Sequence, residues 1–253
     1  MGFTIIVLIK QVADMNAVRV DHSTGKPILS GQQVISSYDE YAIEEALQIK
    51  EQHGGEVIAL AAGPPSVKDV LTRALAMGAD RAVLVPVDNI NQLDTLAVAN
   101  ILADQLKELS FEIIFAGQNS DDYETGHVPP QIAEILGLPQ VSSVTSLEAN
   151  GNRLTLGRDT EDGKQIVDVD TPVMLMAMTG LNEPRYPSLK GIMAAKKKPL
   201  DQATVERVPS ENRADWSDPV APERTASGTI VQDVEPVEAA KQLVGWLKEQ
   251  KLI

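Results

Sequence analysis

From Thr4 to Gly137 the chain alternates short β-branched apolar runs with amphipathic stretches of helical period. Parallel strands need a long crossover, normally a helix, and such crossovers are right-handed. The alternation therefore predicts a doubly wound, mostly parallel α/β sheet covered on both faces. Thr4–Ile9 reads as the first buried strand, followed by Glu56–Ala62, Arg81–Val87 and Glu112–Ala116. Ser37-x-x-Glu40 has the form of a capping box before a helix with Ala42, Ile43, Ala46 and Leu47 on one side, stopped by Gly54-Gly55. Ser66 reads as the cap of a helix striped by Val70, Leu71, Ala74 and Leu75, and Asp94 as the cap of a longer one. Pro129-Pro130 opens a fourth helix that Gly137 closes.

The period changes after Pro139. Asn150-Gly151 and Asp162-Gly163 are tight-turn dipeptides between alternating segments, Leu154–Leu156 and Ile166–Val169. Val173–Met178 is another apolar run, whose Met174, Met176 and Met178 read as a strand face in a packed core. An antiparallel addition to the parallel core is expected. Residues 181–199 are rich in Pro, Asn, Gly and Lys. Residues 200–230 are polar and interrupted by Pro209, Pro219 and Pro222. Pro236 then starts a helix with Ala240, Leu243, Val244 and Leu247 on one face and Lys248 and Lys251 at its end. The expected organisation is an α/β domain over 1–200, followed by an arm over 201–253 whose helix needs something to pack on.

Charge and composition narrow the function. Lys+Arg is 22 against Asp+Glu 36, a net charge of -14. That sign opposes attraction to nucleic acid or to an anionic membrane. The chain has no cysteine, so disulfides, thiolate catalysis and cysteine-ligated clusters are excluded, and only 3 histidines. Phe3–Ile9 is too short to cross a bilayer and has no basic flank before it. A cytoplasmic protein without direct membrane insertion is expected, or a matrix protein if the source is an organelle.

An open parallel sheet binds ligands at the carboxyl ends of its strands, where the strand order reverses. The candidate loops are Lys10–Asp14, Ala62–Ser66 and Gly117–Val128. The sequence has neither a GxGxxG after its first strand nor a Walker A motif. Gly117, Gln118, Asn119, Ser120, Asp121 and Asp122 form the most polar loop of the core. Their small and amide side chains suit close approach to a ligand, and equally suit a solvated turn. His127 reads as a polar cap more readily than as a base, and Asp121-Asp122 as loop acids more readily than as magnesium ligands. Lys196–Lys198 reads as a solvated basic run. These residues alone describe an α/β nucleotide-binding candidate with an undetermined reaction. An adenylate-forming or ATP-hydrolysing enzyme and a nucleotide-sensing module both remain open.

Five segments, in order, carry a resemblance. Leu181-Asn-Glu-Pro-Arg-Tyr-Pro-Ser-Leu-Lys-Gly-Ile-Met-Ala-Ala-Lys-Lys-Lys-Pro199 resembles the partner-recognition loop of the beta (small) subunit of electron-transfer flavoproteins. Tyr38–Leu47, Ala74–Arg81, Gly117–Pro139 and Pro222–Ala226 are similar to other segments of that family in the same register. The resemblance implies an electron carrier that makes no bond itself. It implies a heterodimer with an alpha (large) subunit that holds most of one redox FAD. A second adenine nucleotide, AMP or another FAD, would sit in this chain's own sheet. By position its contacts would be Leu8, Ser36, Ser37, Tyr38, Asp39 and Ala62. Gly117 through Asp122, with Thr125, Gly126, His127 and Val128, would complete them. Tyr38 would approach the partner's flavin. The loop implies docking of dehydrogenases, with Leu189 as its apolar anchor and Glu183, Pro184, Arg185, Tyr186, Ile192 and Met193 around it. Electrons would pass to a quinone-linked or ferredoxin-type acceptor, by simple relay or by bifurcation. The stretch from Gly126 to Gln131 lacks the AMP-holding pattern of respiratory members, which points to FAD. The ring of Tyr123, where bifurcating members carry Gly, points the other way.

Overall fold

The computed structural model describes residues 2–29, 31–205, 212–222, 228 and 230–253. Pro209 and residues 223–226 of the Pro222–Ala226 match lie outside the described residues. The chain divides into two units, residues 1–219 and 220–253.

The first unit is built on a nine-stranded sheet among the described residues. Its central strands are β1 (Phe3–Leu8), β6 (Gly55–Gly63), β7 (Arg81–Pro86), β8 (Ile113–Gly117) and β12 (Val173–Ala177). The remainder are β9 (Gln140–Asn150), β10 (Arg153–Thr160), β11 (Gly163–Asp170) and β13 (Leu200–Gln202). Between β1 and β6 lie two small hairpins. Gln11–Ala13 (β2) pairs with Gln33–Ile35 (β5), and Arg19–Val20 (β3) pairs with Pro27–Ile28 (β4). The sheet order is β11-β10-β9-β12-β8-β1-β6-β7-β13, parallel from β9 to β13. Only the β9–β10–β11 meander is antiparallel. Val173–Ala177 therefore differs from the antiparallel addition expected of it. It inserts parallel between β9 and β8, and all five of its residues are buried. Both faces of that strand are covered, so Met174 and Met176 pack into the core as expected, while Met178 lies past the strand end and is half-buried.

Helices α1 (Ser37–His53) and α2 (Lys68–Met77) pack on one face with Ile43, Leu47, Leu71 and Leu75. Helices α3 (Thr95–Lys107) and α4 (Val128–Leu136) pack on the other with Leu102, Leu106 and Ile132. Helix α5 (Leu189–Ala195) lies against α2. In the second unit the described helix is α6 (Pro236–Glu249), none of whose residues is buried. No helix among the described residues is long and apolar enough to cross a membrane.

Three helix starts depart from the sequence expectation, and each departure concerns the crevice. The cap of α1 is Ser36, which makes no side-chain cap bond. Ser37 instead turns to Asp121, donating its N–H to Oδ2 (2.7 Å) and its hydroxyl to Oδ1 (2.6 Å). Glu40 pairs with Arg73 of α2 at 3.0 Å instead of closing a capping box. A carboxylate from another loop serves the exposed helix amide better than a neutral hydroxyl, because the bond is charge-assisted. Helix α2 begins at Lys68, after a 3₁₀ turn over Pro65–Val67. Ser66 there donates its hydroxyl to Gln11 Oε1 at 3.0 Å. His127 stands at the cap position of α4 without a side-chain cap bond. Asp94 caps α3 as expected, accepting the Ala97 N–H at 2.7 Å.

Of the basic run, Lys196 and Lys197 are solvated. Lys198 Nζ donates to the Leu75 and Ala79 carbonyls, at 2.9 and 2.6 Å, and caps the end of α2. The expected domain end at residue 200 falls at the start of β13, which pairs with β7.

The approach of α1 to the end of β8 is closest at Gly117. A Cβ there would stand 2.5 Å from Tyr38 Cβ and 2.7 Å from Asp39 Oδ1. Gly117→Ala is expected to destabilise the first unit by about 1–3 kcal/mol, the usual cost of overpacking. Urea denaturation checks it, and an unchanged midpoint would show that the contact yields freely.

Candidate functional site

Strand β1 has β6 on one side and β8 on the other. The chain leaves β1 through α1 towards β6, then returns through α3 to β8. The crossovers diverge there and leave a crevice at the carboxyl ends of the strands, the usual ligand position in such sheets. A cleft with about 1220 Å³ of empty space, its open mouth included, lies at this point. Its floor is apolar: Leu8, Leu60 and Ala116 from the strands, Val98 and Leu102 from α3. Its rim is polar: Lys10, Gln11, Asn91, Thr95 and, from the long loop, Gln118, Asn119, Ser120, Thr125 and His127. The first turns of α3 and α4 both reach it, through Thr95 and through Val128 and Pro129. A helix start suits an anion through its free N–H groups, but Pro129 and Pro130 have none and the Asp94 carboxylate already caps α3. The aromatic rings of Tyr123 and Trp216 form one wall.

Asp39 joins the two strand ends. Its Oδ2 accepts the Lys10 N–H at 2.7 Å and its Oδ1 the Gly117 N–H at 2.9 Å. Burial pushes its carboxyl up to about 7, against the pull of those two amides and of the Lys10 charge. The Lys10 ammonium crosses the crevice to Asp122 (2.7 Å) and Ser120 Oγ (3.3 Å), and lies 4.7 Å from the Tyr123 ring centre. Gln118 Oε1 accepts the Ser143 N–H at 2.7 Å, so the long loop is tied to β9 as well.

Of the residues singled out from the sequence, Leu8, Asp39, Ala62, Gly117, Gln118, Asn119 and Ser120 line the cleft, as do Thr125, Gly126, His127 and Val128. Ser36, Ser37, Tyr38, Asp121 and Asp122 do not. Ser36 Oγ accepts the Asp121 N–H at 3.3 Å, and Asp121 is taken up by Ser37. Asp122 holds Lys10, and Tyr38 lies behind Gly117. These five support the lining. Among the described residues no three His, Asp or Glu side chains are placed to hold a metal.

Residues missed by sequence reasoning come from two places. Asn91 and Leu93 belong to the loop after β7 and Thr95 opens α3; that loop is polar, with Asp88, Asn89, Asn91 and Gln92, but is not among the candidate loops. Trp216 comes from the polar segment read as an arm. Its rarity was the available signal, since the chain has 2 tryptophans.

The segment after β12 is pinned to the outer side of α1. Asn182 Nδ2 donates to the Tyr41 carbonyl (3.0 Å) and to Glu45 Oε2 (2.9 Å). Arg185 donates through Nε and Nη2 to Glu44, at 2.7 and 2.9 Å, and through Nη1 to Glu51 at 2.5 Å. Burial works against ionisation of Glu44, yet Arg185 holds its carboxyl below the ordinary range. The Arg185 head is thus committed within the chain. Ser188 caps α5, accepting the Gly191 N–H at 3.0 Å. Apolar side chains face outward between exposed Glu183, Ser188 and Lys190: Tyr186 is 88% exposed, Leu189 77% and Met193 62%, with Ile192 beside them. Glu183 is exposed and Pro184 half-buried.

Comparison with known proteins agrees with this architecture. The electron transfer flavoprotein domain family matches residues 28–208. The chain is similar to the electron transfer flavoprotein subunit beta of Bacillus subtilis (strain 168), 37% identical over 97% of this chain and 98% of that one. It is similar to the subunit of the same name from Syntrophomonas wolfei, 38% identical over 98% of this chain and 97% of that one. A third, from Thermoanaerobacterium thermosaccharolyticum, is 44% identical over 77% of this chain and 75% of that one. With its crevice at the switch point and matches along nearly the whole length, the chain belongs to the electron transfer flavoprotein family, among its beta subunits.

Proposed function

We propose that this chain is the small subunit of a heterodimer. In this reading it relays electrons from dehydrogenases, such as acyl-CoA dehydrogenases, to a quinone-linked or ferredoxin-type acceptor. FAD held chiefly by a large subunit supplies the redox chemistry. This chain contributes a rigid platform, a wall beside that flavin and a docking loop.

The observation that carries the reading is the crevice, whose two ends suit the two ends of an AMP moiety. Its floor of Leu8, Leu60, Ala116, Val98 and Leu102 suits a purine, and its rim of Lys10, Thr95 and the small-residue turn Gly117–Ser120 suits a phosphate. Gly126 completes the cradle. It has φ +60°, and a Cβ there would stand 2.8 Å from Asn119 Oδ1, a conformation and a close approach that favour glycine. Behind the rim, Gln131 Nε2 donates to Thr95 Oγ1 at 3.3 Å while its buried Oε1 has no partner within the described residues. We assign the crevice to the AMP moiety of an adenine nucleotide, either free AMP or the AMP half of a second FAD. Leu8, Ala62, the Gly117–Ser120 turn and Thr125–Val128 would touch it directly. Denaturing the purified heterodimer and quantifying the released nucleotides tests this. One FAD with one AMP means a simple carrier, and two FAD opens the bifurcating reading. A single FAD with nothing else would overturn the assignment.

The docking role rests on an apolar patch displayed by a segment whose base is hydrogen-bonded to α1. Such preorganisation lowers the entropy lost on binding, and an exposed Leu at the centre suits burial. Leu189→Ala is expected to slow electron transfer from a limiting dehydrogenase by about tenfold, the effect of losing a central anchor. Flavin content should stay the same. Equal rates in stopped-flow reduction would reject the role. The outward Val237, Leu243, Val244 and Trp246 of α6 suit a surface of the large subunit. Deleting residues 232–253 should raise the heterodimer dissociation constant by more than about tenfold, since burying even one such side chain is worth about 1.5–3 kcal/mol. Calorimetric titration of the two subunits measures it, and an unaltered constant would count against the arm.

A further inference from the structure

We propose that residues 212–216 form a strap that closes the crevice and sets how fast its nucleotide leaves. This inference rests on the assignment of the crevice to an adenine nucleotide.

The strap joins the two rims of the cleft. On one side it is fastened to the turn Gln92–Leu93–Asp94, which leads into α3. Asn212 Nδ2 donates to the Gln92 carbonyl at 2.6 Å, and Asn212 Oδ1 accepts the Asp94 N–H at 3.0 Å. Asp94 divides its carboxylate between two tasks. Oδ1 caps α3 through Ala97, while Oδ2 accepts the N–H groups of Arg213 and, at 3.1 Å, of Ala214. Trp216 Nε1 donates to the Leu93 carbonyl at 2.9 Å. Towards the other rim, the Trp216 ring rests on Tyr123, with centres 4.6 Å apart and planes tilted by 34°. Tyr123 belongs to the long polar loop, and Lys10 approaches the same ring. Leu93, Thr95, Tyr123 and Trp216 all line the cleft.

The fastening is polar and shallow. Asn212 is half-buried and residues 213–219 are exposed. Just beyond the strap, Asp218 meets Lys26 at 2.7 Å on the surface, a contact worth little in water. A segment held by hydrogen bonds and one ring contact, with no core side chain, opens at far less cost than the sheet beneath it. Release of a ligand from the floor is therefore gated by parting Trp216 from Tyr123 and freeing residues 212–214 from Asp94.

The test uses the heterodimer as purified, with Asn212→Ala and Trp216→Ala. Each complex is transferred into nucleotide-free buffer, and retained nucleotide is quantified by chromatography over time. Asn212 lies outside the cleft, so its loss weakens only the fastening. Both variants are expected to release nucleotide at least about tenfold faster, as the loss of one or two hydrogen bonds implies. The melting point of the nucleotide-stripped complex should be unchanged, and Trp216→Phe, which keeps a ring against Tyr123 but loses the bond to the Leu93 carbonyl, should release at a rate between those of Trp216→Ala and the natural sequence. Release as slow as in the natural sequence for both variants would overturn the strap while leaving the nucleotide assignment standing. A natural complex with no nucleotide beyond one FAD would overturn both.

Discussion

One buried carboxylate holds the functional end of the molecule together. Asp39, in the first turn of α1, accepts the amide of Lys10 at the end of β1 and that of Gly117 at the end of β8. These are the neighbouring strands from which the chain departs in opposite directions. Both amides are taken up by an acceptor from outside the sheet, as buried backbone donors require. A carboxylate does this with two oxygens at once. Its burial, which pushes the carboxyl up to about 7, is the cost of placing it there.

Around that contact the crevice is assembled from polar ties between loops that are distant in sequence. Asp121 serves the start of α1, Asp122 holds Lys10, Gln11 meets Ser66, and Gln118 reaches Ser143. Each tie satisfies a backbone or charged group that would otherwise depend on water, so the loops hold one arrangement. Such an arrangement favours binding over chemistry. Asp121 and Asp122 are engaged in structure, and the cleft is faced by amide and hydroxyl side chains together with Lys10 and His127. The same helix α1 that meets the crevice at its first turn carries Glu44 and Glu51 further along, where they grip Arg185. One helix therefore locates both the crevice and the base of the exposed apolar segment.

The parallel core was legible because its signals are local. Continuous β-branched strands, helical stripes and Gly or Pro punctuation each report on a few consecutive residues, and the strands and helices fell close to where those signals put them. Strand β9 was not legible. Gln140–Asn150 is polar and broken by a bulge, with Ser143 at φ 57°, so it lacks an unbroken period. Helix α5 was hidden for a similar reason, being seven residues of mixed character. The role of Lys198 was hidden because the carbonyls it caps belong to α2, far back in the chain.

The site divides along the same line. The sequence alone determined that three loops after buried strands would meet at the crevice, because strand order and the right-handed crossover put them there. It also determined that the loop after β8 would be polar and rich in small residues. Only the tertiary structure decided which of those residues face the cleft. Asp121 and Asp122 are adjacent acids in the sequence, yet one is taken by a helix start and the other by a lysine. Only the tertiary structure, too, brought Trp216 and Asp94 together over more than a hundred residues of chain. Hydrogen bonds and ring contacts are short-ranged and directional, so their partners depend on where the fold brings the backbone, which no local pattern encodes.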